Sequence, residues 1–175
     1  MRAVRYNVAA TLDGYIAGPN GEFDWIPNDD TVDFTGIFAR VDTVLIGRRA
    51  YEVVQRMGPP PWTPKTRVYV FSTTLQPRDC SGATLVSTDS TGVVNALRQE
   101  EGSGEIWLFG GGDLFRRLLA AGLVDSVEIT IVPVLLGAGI PLLPPGGSRT
   151  ELTLRNTRQY SSGMVTLTYS IKSVA

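Results

Sequence analysis

Residues 105–122 read EIWLFGGGDLFRRLLAAG, a short apolar run, three glycines and then a longer mixed run. The run at 105–109 is typical of a buried strand. Apolar residues within 113–121 recur at helical spacing, and Gly122 follows where a helix C-cap glycine belongs. This stretch therefore predicts a strand that passes through a glycine turn directly into a helix.

The same alternation of strand and helix runs through most of the chain. Apolar runs predict further strands at residues 4–10, 43–46, 67–71, 83–86 and 126–132. Helical patterns lie at residues 29–40 with Asp29 or Asp30 as cap, at 48–57, and at 90–97 with Ser90 as cap. Because strands that alternate with helices pair in parallel, a largely parallel sheet covered on both faces is expected.

The end of the chain has a different pattern. Residues 151–160 and 164–171 are two strand-like runs joined by a turn at 161–163, which predicts an antiparallel hairpin. A chain of 175 residues with 43% hydrophobic content can build one substantial core. We therefore expect a single α/β domain over residues 1–175, a three-layer sandwich with a mostly parallel central sheet and an antiparallel C-terminal hairpin.

Composition excludes several classes of function. Lys and Arg number 16 against 17 Asp and Glu, so no basic field favours nucleic acid as a partner. The chain has no histidine and one cysteine, Cys80, which removes histidine-based catalysis, disulfides and cysteine-rich metal sites, and we expect no metal. The amino terminus has no signal-peptide pattern, and glycines and prolines interrupt the apolar segment 131–143. A soluble, cytoplasmic protein without a membrane partner is expected.

Three predicted junctions between a strand and the following segment carry the chemistry of a ligand site. In an open α/β sheet, ligands bind beyond the carboxyl ends of the strands, an edge that we call the carboxyl edge. The junction residues are Gly47, Arg48, Arg49 and Ala50; Phe71, Ser72 and Thr73; and Gly110, Gly111, Gly112, Asp113 and Leu114.

Each junction suits one part of a dinucleotide. Free N–H groups at a helix start and two guanidiniums attract phosphate, hydroxyls bond a ribose or its phosphate, and glycines let the backbone approach a pyrophosphate. Each also has a simpler explanation, since arginines are often only solvated, hydroxyl turns satisfy their own backbone, and the glycines, which lack the G-x-G-x-x-G spacing, form tight turns. The three together, in this order, favour a dinucleotide site.

These junctions, with the run AATLDGYIA at residues 9–17, resemble the dihydrofolate reductase superfamily. Residues 118–125 and 133–143 make the chain more closely similar to stand-alone relatives of the bacterial riboflavin-biosynthesis reductase domain. The resemblance spans nearly the whole chain. It departs from that domain in having Phe38, Ala39 and Arg40 where a histidine- and arginine-bearing helix is usual.

The resemblance implies NADPH as cofactor. It places Ala9 and Ile16 near the nicotinamide, residues 47–50 at the phosphates, Ser72 and Thr73 at the adenine ribose phosphate, and residues 110–114 at the pyrophosphate. It also implies a cis peptide bond between Gly110 and Gly111. A homodimer is expected from the resemblance and from the apolar segment 132–143.

Four further residues are candidates on the substrate side. The resemblance points to Asp33, with Asp30 as a rival, as a helix carboxylate that supports protonation, and Asp24 is a second candidate proton donor; a solvated surface Asp is the simpler alternative. Asp13 and Trp25 are candidates for substrate binding, although Asp13 also suits a turn cap and Trp25 a packed core position.

The expected function is an NADPH-dependent oxidoreductase that transfers a hydride to a small pterin- or pyrimidine-like heterocycle. One alternative keeps the cofactor and takes the phosphorylated ribosylaminopyrimidine of riboflavin biosynthesis as substrate. A second alternative, of another class, is a dimeric nucleotide-binding module without turnover, because a fold can be retained when its catalytic activity is lost.

Overall fold

The structure is a computed structural model that describes residues 1–102 and 104–172. Residue 103 and residues 173–175 of the expected domain lie outside this range. Ten strands are described: β1 Val4–Thr11, β2 Tyr15–Ala17, β3 Val41–Gly47, β4 Arg67–Phe71, β5 Thr84–Val86, β6 Glu105–Gly110, β7 Ser126–Val132, β8 Ile140–Pro141, β9 Leu152–Gln159 and β10 Val165–Ile171. The α-helices are α1 Phe34–Ala39, α2 Arg48–Met57, α3 Ser90–Gln99 and α4 Gly112–Ala120.

Eight of these strands form one sheet in the order β5-β4-β3-β6-β1-β7-β10-β9. In this order, the first six strands, from β5 through β1 to β7, all pair in parallel. Strand β10 is antiparallel to both β7 and β9. The mostly parallel α/β fold with an antiparallel C-terminal hairpin is therefore confirmed. Because β3, β4, β6 and β1 are neighbours, their carboxyl ends meet along one stretch of the carboxyl edge.

Two hydrophobic cores cover the two faces of the sheet. One contains Val4, Leu45, Leu108 and buried side chains of α3 and α4 such as Val94 and Leu118. The other contains Val44, Val70, Trp107 and buried side chains of α2, with Phe38 of α1 packed against it. Helices thus lie on both faces, in the three layers that the sequence predicts.

Two helix starts differ from the sequence expectation. Helix α1 begins at Phe34 with Asp33 as its cap, not at Asp29 or Asp30, and the Asp33 Oδ1 accepts the Gly36 N–H at 2.8 Å. Helix α3 is capped by Asp89 rather than Ser90; the Asp89 Oδ1 accepts the Gly92 N–H at 3.0 Å. In both cases the carboxylate stands three residues before the N–H that it binds, a geometry that capping requires and that composition alone does not fix.

A small second sheet pairs β2 with β8, two segments for which the sequence predicts only loops. They have three and two residues, too few for a periodic pattern to identify. Gly139 makes this pairing possible, because a Cβ at that position would lie 2.3 Å from the Ala17 carbonyl oxygen. The small sheet holds the loop after β1 against the loop after β7.

Candidate functional site

The three predicted junctions meet at the carboxyl edge. Gly47 pairs with Phe71 at the ends of β3 and β4, and Ile46 pairs with Gly110 at the ends of β3 and β6. A Cβ on Gly47 would lie 3.5 Å from the Gly111 nitrogen and 3.6 Å from the Gly110 oxygen. The first and third junctions are therefore in direct backbone contact, and the second lies one strand away.

The three glycines after β6 do different things. The Gly110–Gly111 bond is cis, as the resemblance implies. A Cβ on either Gly110 or Gly111 would meet nothing within 4 Å. Gly110 is buried and Gly111 is half-buried, so the backbone at Gly111 has room for a ligand. Gly112 instead faces its own chain, because a Cβ there would lie 2.8 Å from Pro144 Cδ and 3.1 Å from the Pro141 oxygen. Two glycines leave room for a bound group, and the third lets residues 141–144 close over the start of α4.

The helices that begin at this edge include two without a side-chain cap. Helices α2 and α4 have Gly47 and Gly111 as N-caps, and among the described residues no side chain accepts an N–H of their first turns. Helices α1 and α3, in contrast, are capped by aspartates. Free N–H groups and the positive end of the helix dipole attract anions. The two uncapped starts therefore suit the phosphates of a dinucleotide.

The two arginines of the first junction add positive charge to this edge. Arg48 lies 3.7 Å from Glu52 along α2, and both side chains are about two-fifths exposed, at 42% and 43%. Arg49 is exposed and makes no ion pair with the described residues. Its guanidinium is free to bind an incoming phosphate.

The hydroxyl junction after β4 is partly engaged by its own turn. The Ser72 Oγ accepts the N–H groups of Thr74 at 3.2 Å and Leu75 at 3.1 Å, which is the simpler alternative that the sequence left open. Thr73 is exposed. Phe71 and Leu114 are buried in the core, so these two positions present only backbone to a ligand. Asp113 is exposed in the first turn of α4.

The loop after β1 brings Ile16 and Asp13 to the same edge. Ile16 is a half-buried member of β2, and Ala9 is half-buried near the end of β1. The Asp13 carboxylate accepts the Thr11 hydroxyl, the Leu136 N–H at 3.2 Å and the Gly137 N–H at 2.7 Å. These hydrogen bonds, from Thr11 above all, lower the pKa of Asp13 below its usual value. Asp13 thus ties two loops together, which is the turn-capping role rather than an open substrate contact.

The remaining candidates lie on the segment between β2 and α1. Trp25 is half-buried, and its indole N–H donates to the backbone carbonyl oxygen of Glu22 at 3.2 Å. Asp24 and Asp33 are both exposed. Asp33 is the α1 cap and, with the rest of residues 28–35, lines an open surface depression of about 550 Å³. Its carboxylate is bonded to the helix that it caps.

A polar patch that was not predicted from the sequence lies on the face of the sheet where Phe38 of α1 packs against Trp107. Asn7 of β1 pairs with Glu128 of β7, and its Nδ2 donates to Glu128 Oε1 at 2.7 Å. Thr130 and Thr166 follow one step closer to the carboxyl edge and share a 2.7 Å hydrogen bond. We call these four residues the polar sheet face. The polar residues Arg5 and Asn7 of β1 and Ser126, Glu128 and Thr130 of β7, each two positions apart, were the signal that could have revealed it.

Aromatic rings border the polar sheet face on its β6 side. Trp107 lies between Phe38 and Phe109, and its ring centroid is 5.6 Å from the first and 4.9 Å from the second. Its indole N–H donates to the backbone carbonyl oxygen of Asn7 at 3.2 Å. Phe109 also contacts Trp62 edge to face at 5.5 Å. A flat heterocycle needs an apolar surface for its ring and hydrogen-bonding groups for its edge, and this face offers both.

Comparison with known proteins places this geometry in a family. Residues 2–166 match the model of the RibD C-terminal domain. The chain is 35% identical over 179 residues to the uncharacterized protein YyaP of Bacillus subtilis, covering 96% of this chain and 94% of YyaP. It superimposes with a TM-score of 0.84 and 28% identity on a Shewanella sp. PV-4 protein assigned to riboflavin biosynthesis, covering 99% and 100% of the two chains.

A more distant structure shares the fold. Dihydrofolate reductase from Enterococcus faecalis, complexed with NADP(H) and RAB-propyl, superimposes with a TM-score of 0.66 at 16% identity, covering 98% of this chain and 97% of that one. The fold is therefore that of dihydrofolate reductase. Among the described residues, no helix is both long and apolar enough to cross a bilayer.

Proposed function

Because the chain belongs to the RibD C-terminal domain family, we propose that it is an NADPH-dependent oxidoreductase that reduces a small pterin- or pyrimidine-like heterocycle. The observation that carries the proposal is the contact of Gly47 with the Gly110–Gly111 backbone between two helix starts that have no side-chain cap. A pair of adjacent anion sites on one edge fits a pyrophosphate.

In this proposal the protein binds the coenzyme mostly through backbone. The first-turn N–H groups of α2 and α4 bind the phosphates, with Arg48 and Arg49 above them. Ser72 and Thr73 lie on the next strand end, at the reach of an adenine ribose and its phosphate. Ala9 and Ile16 flank the nicotinamide end, where small or apolar side chains allow close approach. Bound NADPH would supply the hydride.

The substrate ring lies, in this proposal, near the polar sheet face and the neighbouring aromatic rings. Glu128 fixes the Asn7 amide by accepting from its Nδ2, because a carboxylate can only accept. Asn7 Oδ1 has no hydrogen-bond partner among the described residues, and it is therefore free for an N–H of the heterocycle. Trp25, on the segment between β2 and α1, offers a ring face for the heterocycle. The proton comes from water or from Asp24 or Asp33.

Removal of one arginine tests the coenzyme site. We expect Arg49→Ala to weaken NADPH binding by about tenfold, because a guanidinium bonded to phosphate contributes more than a neutral hydrogen bond. The difference in NADPH affinity between Arg49→Ala and wild type should become smaller at high salt, because salt screens the charge of the guanidinium. Fluorescence titration with NADPH and NADH measures both effects.

The matched control is Arg56→Ala, an exposed arginine at the other end of the same helix. Its NADPH affinity should stay within about twofold of wild type, since a surface charge far from the ligand is screened. Equal losses in the two variants, or wild-type protein that binds no NADPH at millimolar concentration, would contradict the proposed site.

A second candidate substrate is the phosphorylated ribosylaminopyrimidine of riboflavin biosynthesis, favoured by the assignment of the Shewanella relative. NADPH oxidation against a panel of pterins, this pyrimidine and simple carbonyl compounds separates the two. NADPH binding without oxidation of any of them would favour the non-catalytic module. We further propose that the protein is cytoplasmic.

A further inference from the structure

The segment between β2 and α1, residues 18–33, carries Asp24, Trp25 and Asp33 but has few attachments to the rest of the molecule. Most of its hydrogen bonds stay within the segment: the Gly18 N–H donates to the Glu22 carbonyl oxygen, and the Ile26 N–H donates to the Phe23 carbonyl oxygen. None of its described side chains belongs to either hydrophobic core, and Phe23 and Ile26 are 38% and 37% exposed. Only a small number of hydrogen bonds therefore connects it to the rest of the described chain.

Those contacts converge on one buried carboxylate. Asp29 is 8% exposed, and its Oδ2 accepts the Ser162 N–H at 3.0 Å and the Ser161 hydroxyl at 3.3 Å. Its Oδ1 accepts the N–H of Thr31 at 2.9 Å and the Thr31 hydroxyl. Arg158 adds a bond to the Thr31 carbonyl oxygen at 2.9 Å. Among the described residues, every hydrogen bond from segment 18–33 to a distant part of the chain runs through Asp29 or Thr31.

The partner of Asp29 is the turn between β9 and β10, and this turn lies at the carboxyl edge. Val165 at the start of β10 pairs with Ile131 near the end of β7. A Cβ on Gly163 would lie 3.5 Å from Pro133, directly after β7. Asp29 therefore attaches the segment beside the end of the polar sheet face, and the open depression along residues 28–35 lies next to this attachment.

We propose that Asp29 is a positioning residue, which holds segment 18–33 against the β9–β10 turn and so fixes the wall of the substrate side that carries Trp25 and Asp33. The inference rests on the proposed function for its catalytic part, but the contact itself does not. It predicts that Asp29 affects the acceptor substrate and leaves the coenzyme unaffected, because the coenzyme junctions belong to other elements.

The test compares Asp29→Asn with Asp30→Asn by hydrogen exchange, and Asp29→Asn with wild type by steady-state kinetics. The Asp29 carboxylate accepts four hydrogen bonds, two on each oxygen. The amide of Asn keeps one acceptor oxygen and places an NH2 group against the other two donors, which weakens the attachment. Amide hydrogen exchange in peptides covering residues 18–33 should therefore rise about tenfold or more. Asp30 is exposed and makes no side-chain hydrogen bond with the described residues, so its variant should exchange as wild type. Ser161→Ala, which removes one hydroxyl, should give a smaller rise and guards against a misfolded Asp29 variant.

The kinetic part uses NADPH with an acceptor from the panel that wild type reduces. For Asp29→Asn we expect the KM of the acceptor to rise about tenfold while the KM of NADPH stays within about twofold. Unchanged exchange in segment 18–33 would overturn the contact. Raised exchange with an unchanged acceptor KM would reduce Asp29 to a structural residue and overturn the positioning role. Wild type that neither binds NADPH nor reduces any acceptor overturns the proposed function, a failure recognisable without any variant.

Discussion

Single carboxylates show how one residue type takes different tasks in neighbouring positions. Asp29, Asp30 and Asp33 are close in sequence, yet the first binds a turn more than 130 residues away, the second is exposed, and the third caps α1. The sequence identifies all three as candidate caps or acids. It cannot choose between them, because the choice depends on a hairpin turn that only the folded chain brings near.

The role of Asp33 separates cleanly by substitution. Asn caps helices as well as Asp but donates no proton. Because the Asp33 carboxylate is exposed and accepts the Gly36 N–H, we expect the cap to be its role and water or Asp24 to supply the proton. Asp33→Asn should then keep kcat within about twofold of wild type across the pH range. Asp33→Ala should destabilise the protein by about 1 kcal/mol through the lost cap. A large fall of kcat in Asp33→Asn, measured by NADPH oxidation, would instead establish Asp33 as the proton donor.

At the scale of elements, the sequence predicts the long elements well and the short ones poorly. The predicted ranges 48–57, 67–71 and 126–132 are those of α2, β4 and β7. Their apolar residues are dense enough for periodicity to be read, and Gly or Pro ends several of them. Strands β2 and β8 escape prediction because they form only where the loops after β1 and β7 meet.

Gly139 tests the importance of that second sheet. In Gly139→Ala the new methyl group would collide with the Ala17 carbonyl, a backbone atom that cannot move freely. We expect a loss of about 1–3 kcal/mol in the free energy of unfolding, measured with urea. Gly147→Ala in the same loop region is the control, since its Cβ would lie 3.8 Å from Arg116 Cγ, an ordinary contact. Equal effects of the two substitutions would argue against the β2–β8 contact.

For the whole molecule, the meeting of three junctions at one edge follows from strand order. The sequence predicts the junctions, and adjacency of β4, β3, β6 and β1 brings them together. The polar sheet face depends on the same order but involves side chains on β7 and β10, whose pairing the sequence does not specify. This difference explains why the sequence predicts the residues of the three junctions one by one but not the polar sheet face.

Below about pH 8, stability should depend on pH only in acid. Hydrogen bonds lower the pKa of Asp13 and Asp29 from 3.8 and of Glu22 and Glu100 from 4.5. A carboxyl with a lowered pKa in the folded state stabilises the fold above its unfolded pKa and loses this contribution as pH falls further. With no histidine in the chain, the Tm should stay flat from about pH 8 to about pH 5.5 and fall below about pH 4.

Calorimetry over this pH range checks the prediction. The Tm of Asp29→Asn should fall less steeply in acid than the Tm of wild type, because one carboxyl with a lowered pKa is absent. A drop in Tm between about pH 7 and about pH 6 would contradict it.

We also propose a homodimer, with the loop around Leu135, which is 70% exposed, as part of its surface. Light scattering should give a mass of twice 18.9 kDa, and a monomer mass would count against it.

The uncapped starts of α2 and α4 have a practical consequence for the handling of this protein. Open amides at the head of a helix bind small oxyanions as readily as part of a larger molecule. We therefore expect sulfate or phosphate in a purification buffer to occupy these positions, raise the melting temperature and compete with NADPH at the proposed coenzyme site. Affinities measured in Tris chloride and in phosphate will differ for this reason, with the tighter value in chloride.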